Sequence, residues 1–213
     1  MIEPLYAGID SGKLGAVCAL LQDRSITLCE DTPTIGGDKG TVQYDRPGMR
    51  HLLKRMLTIS AGTDHPWMEG KVHILIEEPV IKPLAKAPHK CGKCGHVDWL
   101  MKFDKPTVIA AQWSGFVLWE GIICGLQEFC PGLTYTHVRP SAWHNELFGK
   151  VKGGTPKTMA YNHVTTQWPA GPWFGPRGGE KDGRWDAACL ADVLIRRIGG
   201  AHGKQGETGD LPL

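Results

Sequence analysis

The chain has 213 residues, 41% of them hydrophobic and 22% charged, which suits one core with insertions or a tail at about 150 residues per domain. The formal charge of +2 and pI near 8.1 are too small a bias to identify a nucleic-acid partner, so only the distribution of charge is informative. No stretch approaches the roughly 20 apolar residues of a membrane span. The passage from Met1 into Leu5 to Ile9 lacks the segments of a signal peptide, which predicts a cytosolic protein. The seven cysteines are an odd number, and Cys18, Cys29, Cys124 and Cys189 fall in apolar patterns where reduced thiols pack, which argues against a disulfide framework.

Leu5 to Asp10, Leu14 to Leu21 and Ser25 to Glu30 predict three short strands. Their links, Ser11-Gly12-Lys13 and Gln22-Asp23-Arg24, favour antiparallel neighbours. After a loop with Gly36, Gly37 and Gly40, residues Asp45 to Ile59 carry Met49, Leu52, Leu53, Met56 and Leu57 at helical spacing. Val72 to Glu77 is a nearly continuous apolar run ending in carboxylates, predicting a central parallel strand buried on both faces.

Pro79 to Pro106 is rich in Pro, Lys, Gly and Cys and reads as an inserted subregion. Val108, Ala111, Gly115, Leu118, Ile122, Leu126 and Phe129 then predict a long helix, with Gly115, Gly121 and Gly125 suited to close packing. Thr134 to Val138 predicts a strand, and Thr155 to Gln167 a helix with Pro156 in its first turn. Asp182 to Ile198 predicts the last helix of a single domain over residues 1–198. From Gly199 onward a tail without an apolar run is predicted to be flexible.

Two lysine groups, Lys82, Lys86, Lys90, Lys93, Lys102 and Lys105, and Lys150, Lys152 and Lys157, suit a phosphate track or solvated loops equally.

Four carboxylates carry the chemistry. Asp10 ends the first strand among small residues, Glu77 ends the buried strand, and Asp182 and Asp186 lie four apart on one helical face. Like charges at that spacing disfavour a helix by a few tenths of a kcal/mol, a cost that a divalent cation offsets. If the two strands are neighbours and the last helix crosses their ends, the set suits two Mg²⁺ ions acting on a phosphodiester. The bland alternatives are a turn role for Asp10, surface charge at Glu77 and an N-cap role for Asp182.

Gly8-Ile9-Asp10-Ser11-Gly12, Leu75-Ile76-Glu77-Glu78-Pro79 and Gln112 to Gly121 (QWSGFVLWEG) resemble RuvC-like Holliday junction resolvases, particularly their phage and plastid branch. So do Val138-Arg139-Pro140-Ser141-Ala142-Trp143 and Asp182-Gly183-Arg184-Trp185-Asp186-Ala187-Ala188. The resemblance implies an α/β RNase H-like fold, a five-stranded mixed sheet flanked by helices. It also implies a homodimer that nicks opposing strands of a four-way DNA junction, using two Mg²⁺ ions for which Mn²⁺ substitutes.

Asp10, Glu77, Asp182 and Asp186 match the family's metal-binding positions. The spacing of the last two is three in bacterial members and four here, as in the plastid branch, which leaves Asp182 less firmly matched than Asp186. Glu78 stands where relatives often carry Gln, and His144 where they commonly carry Lys. Lys13, Arg139 and Lys157 are the basic candidates for DNA contact. Trp113, Phe116 and Trp119 suit either a base-unstacking wedge or the core.

His89-Lys90-Cys91-Gly92-Lys93-Cys94-Gly95-His96 departs from the family pattern and looks like a zinc knuckle, with Cys91, Cys94 and His96 as ligands and His89 or a residue from elsewhere as the fourth. A redox pair or two free thiols is the alternative. Other functions stay open: a related nuclease acting on flaps, forks or RNA–DNA hybrids, or a non-catalytic zinc-containing DNA-binding module. The sugar kinase and actin superfamily opens similarly, but this chain is short for its two lobes.

Overall fold

The computed structural model describes residues 3–36, 42–62, 69–80, 83–90, 93–103, 106–149, 154–175 and 178–204. Leu5–Ile9 (β1), Ala16–Leu20 (β2) and Ile26–Asp31 (β3) form the predicted antiparallel meander. Val72–Glu77 (β6) adds in parallel beside β1, and Leu133–Val138 (β9) in parallel beside β6. The resulting five-stranded mixed sheet has the order β3-β2-β1-β6-β9. The strand predicted to be central, β6, is interior, but β1 holds the middle because β9 alone lies beyond β6.

Side chains alternate between the two faces of the sheet, and β1 and β2 are buried at every residue because both faces are covered. Leu5, Ala7, Ile9, Val17, Ala19, Ile74 and Ile76 face one apolar cluster with Arg46–Ala61 (α1) and Pro106–Gln127 (α2). Tyr6, Cys18, Leu20 and Leu75 face the other, with Pro140–Phe148 (α3), Pro156–Gln167 (α4) and Asp182–Lys204 (α5).

Helix α1 starts where Asp45 accepts from the Gly48 amide at 3.1 Å and stops at Gly62, whose φ of 63° is left-handed. Helix α4 is capped by Thr155, which accepts from the Thr158 amide.

Several expectations change. Phe129 falls beyond the end of α2 and is 64% exposed, because the chain turns at Cys130 instead of extending the stripe. Of the α2 glycines only Gly115 is closely packed, and a side chain at Gly121 or Gly125 meets open space. Cys124 is exposed, with its thiol 3.1 Å from the Tyr135 hydroxyl. The last helix continues past Ile198 to Lys204.

Among the described residues, two ribbons and one helix lie outside the predicted elements: Thr34–Gly36 (β4) with Val42–Tyr44 (β5), Pro83–Lys90 (β7) with Val97–Phe103 (β8) inside the insertion, and α3. Among the described residues no helix is long and apolar enough to cross a membrane.

Arg24, in the β2–β3 turn, has a φ of 69°, costly for a residue with a Cβ. It is held by the Trp168 indole donating to its carbonyl at 2.7 Å and by its own contact with Asp192 at 2.9 Å.

Candidate active site

The parallel register pairs Ile9 with Ile76, so Asp10 and Glu77, the next residues, emerge side by side at the carboxyl ends of β1 and β6. Helix α5 reaches the same place because β1 carries glycine where they cross. A Cβ on Gly8 would lie 2.0 Å from the Ala187 carbonyl oxygen and 2.6 Å from the Leu190 Cβ. A second pinch lies one turn earlier, where Gly15 forms an isolated parallel bridge with Gly183, and a Cβ on Gly183 would meet Gly15 Cα at 2.7 Å. These contacts set the first turn of α5, with Asp182 and Asp186, over the end of β1.

The four carboxylates interact. Burial, then the charges of Asp10, Glu77 and Asp182, push Asp186 up to about 8, with Lys157 opposing. Burial also raises Asp10, helped by Asp182 and opposed by the Gly12 amide, which donates to Asp10 Oδ1 at 3.1 Å, and by Lys157. Lys157, at the start of α4, makes an ion pair with Asp182, and that carboxylate raises its pKa. The other Asp182 oxygen accepts from the adjacent Gly183 amide at 3.1 Å, not from the amides two or three residues on that an N-cap side chain serves.

Glu77 is fixed by groups with no role assigned from sequence. The Trp143 indole donates to Glu77 Oε1 at 2.9 Å, and the Ser11 hydroxyl to the Glu77 carbonyl at 3.3 Å. Tyr44 donates to the Ser11 carbonyl at 3.3 Å, beside Gly115, where a Cβ would lie 1.9 Å from that same oxygen. The only sequence signal for Trp143 is its place after Arg139-Pro140-Ser141-Ala142.

Asp10, Glu77 and Glu78 line a cavity of about 240 Å³. A larger groove of about 670 Å³ reaches the set only through Asp182 and is walled by Lys13, Leu14 and Lys181. Chemistry rather than size identifies the site.

The other candidates divide. Lys13 is exposed and donates to the Val42 carbonyl at 2.8 Å. The Arg139 side chain is 77% exposed, 3.7 Å from Glu78. Phe116 is corrected: it is 5% exposed and packs edge-on against His137, so it belongs to the core and does not act as a wedge. Trp119 is fully buried, whereas Trp113 is 36% exposed.

Cys91, Lys82, Lys105, Lys150 and Lys152 lie outside the described residues, as do the side chains of His89, Lys86, Lys90 and Lys102. Cys94 and His96 stand exposed between β7 and β8.

Among the described residues, no three His, Cys, Asp or Glu side chains form a group that holds a metal ion. The carboxylates form an acidic set with a lysine on one member, not a closed coordination shell. Their hard oxygen donors nonetheless fit Mg²⁺, which takes one or two carboxylates and fills its octahedron with water and phosphate oxygens. No protein-family model matches the chain, and no curated protein matches it.

Proposed function

We propose that the chain is an Mg²⁺-dependent DNA endonuclease with an RNase H-like fold, acting as a homodimer on four-way junctions. The observation that carries this reading is the meeting of Asp10, Glu77, Asp182 and Asp186, from two adjacent parallel strands and the helix crossing them, in one set where burial first, and then repulsion from the other three carboxylates, raises Asp186 to about 8. Such repulsion is what a bound cation relieves. Asp10, Glu77, Asp182 and Asp186 would hold the metal, Mg²⁺ or Mn²⁺. When bound, it supplies activation of water and stabilisation of the leaving oxygen, giving 5′-phosphate and 3′-hydroxyl ends.

The protein's own groups bind and orient. Trp143 and Ser11 fix Glu77. Lys157 balances Asp182 and, with exposed Lys13 and Arg139, supplies cations at the rim for phosphates. The homodimer reading draws support from α2. Trp113, Val117, Gly121 and Gly125 recur every four residues, the first two exposed and the glycines open, a stripe suited to close helix approach.

The test is cleavage of an end-labelled immobile four-way junction beside duplex, flap and RNA–DNA hybrid controls, with Mg²⁺ or with EDTA. Paired symmetric nicks confined to the junction support the reading. Better cutting of another substrate replaces the junction, and no cutting with any divalent metal removes the nuclease.

A further inference from the structure

Helix α1 carries Arg46, Arg50 and Lys54 at four-residue intervals, with His51 beside them. These four line a groove of about 510 Å³ floored in part by Ile122 of α2. The arrangement opposes the local electrostatics of a helix. Arg46 and Arg50 stand in the first turns, where the macrodipole disfavours cations, and like charges four apart repel. The first turn holds no acidic residue, and the capping Asp45 spends its carboxylate on the Gly48 amide.

Arg46, Arg50 and His51 make no ion pair with any described residue, unlike Arg55 on the same helix, which meets Glu30 at 2.6 Å. The ridge is also aimed. It starts two residues after Tyr44, which bonds the carbonyl of Ser11 next to Asp10, and runs toward the far end of the sheet, where Ser60 bonds the Glu3 and Lys71 carbonyls at 2.8 Å. From Arg46 to Lys54 it advances about 12 Å at 1.5 Å per residue.

We propose that the α1 ridge is a second contact surface, separate from the carboxylate site, that holds the sugar–phosphate backbone of a DNA arm leading away from that site. Uncompensated arginines in an open groove suit phosphodiesters, which arginine meets through its planar fork. The identity of the polymer rests on the function proposed above, whereas the surface itself does not.

The test is the salt dependence of duplex binding, measured by fluorescence anisotropy with the full chain in EDTA. Arg46→Gln/Arg50→Gln should lower the slope of log affinity against log salt by about 2, near one unit per lost phosphate contact. Arg46→Lys/Arg50→Lys should keep the slope, and so should Arg55→Gln, whose charge is already paired. A urea midpoint for the double Gln variant no lower than that of the unsubstituted chain separates lost contacts from lost folding. An unchanged slope in the double Gln variant overturns the inference, as does an equal fall in Arg55→Gln. A chain that cuts junctions but shows that unchanged slope loses this inference alone. One that cuts nothing but shows the expected fall keeps it and loses the nuclease reading.

Discussion

Trp143 is fully buried, and its indole N–H points at Glu77, 2.9 Å from Oε1. A tryptophan from a short helix thus aims a carboxylate at the end of a strand 66 residues earlier. Trp143→Phe keeps an aromatic ring but removes the donor. Loss of a partner that orients a metal ligand typically costs 10- to 100-fold in metal affinity, so the Mg²⁺ midpoint for junction nicking should rise by about tenfold. An unchanged midpoint refutes a positioning role.

The metal-free chain should lose stability as pH rises. Asp186 is raised from its ordinary 3.8 to about 8 by burial and its acidic neighbours. Between those values the folded state holds a proton that the unfolded state has released, so stability falls from about pH 4 to pH 8. Asp186→Asn should therefore stabilise the apo chain at pH 8, on the order of 1–3 kcal/mol after allowing for solvent screening, and by less at pH 5. Melting curves in EDTA at the two pH values test this, and equal shifts would contradict it.

Asp192 has the opposite sign. Burial raises its pKa, but the His163 hydrogen bond and the charges of Arg196, Arg24 and His163 outweigh it, leaving a net value below the ordinary one. Arg196 reaches Oδ2 at 2.8 Å. Arg24 approaches Oδ1 at 2.9 Å as a charge contact, not as an aligned hydrogen bond. This stabilisation is present above the unfolded pKa and is lost as pH falls through the lowered folded value. Asp192→Ala removes the buried acceptor of these groups, while Arg24 and Arg196 stay partly solvated, and should cost about 1–3 kcal/mol, read from urea unfolding at neutral pH.

Two alanine substitutions on α2 should differ in sign. Gly115→Ala drives a methyl into the Ser11 carbonyl and Tyr44 hydroxyl and should destabilise by at least 1–3 kcal/mol. Gly121→Ala meets open space within one chain and should stabilise the monomer, at concentrations low enough to keep it dissociated, by about 0.5–1 kcal/mol. Thermal melts of both variants decide the pair.

Sequence made the meander legible because two short polar links leave β1, β2 and β3 little choice but to pair. Asp10 and Glu77 were legible because a carboxylate ending an apolar run is conspicuous. Helix α3 was not, since Trp143 is its only buried residue and no apolar period marks it. The β4–β5 ribbon was hidden because each strand has only three residues, nearly all exposed. Helix α2 is apolar nearly all round, so its pattern gives a helix but not its rotation, and Phe116 turned inward while Val117 turned out. The Trp143–Glu77 and Lys157–Asp182 contacts join distant elements, and neither leaves a trace in local spacing.

The pinch of Gly15 on Gly183 bears on how the protein is made. A chain emerging from a ribosome presents Asp10 and Glu77 long before α5 exists. Until that helix is synthesised and closes onto the glycine loop, Asp182 and Asp186 cannot join Asp10 and Glu77, and any affinity that depends on the union of all four is absent. On the function proposed above, the metal affinity that needs all four carboxylates therefore arises only after α5 is made, in one late step.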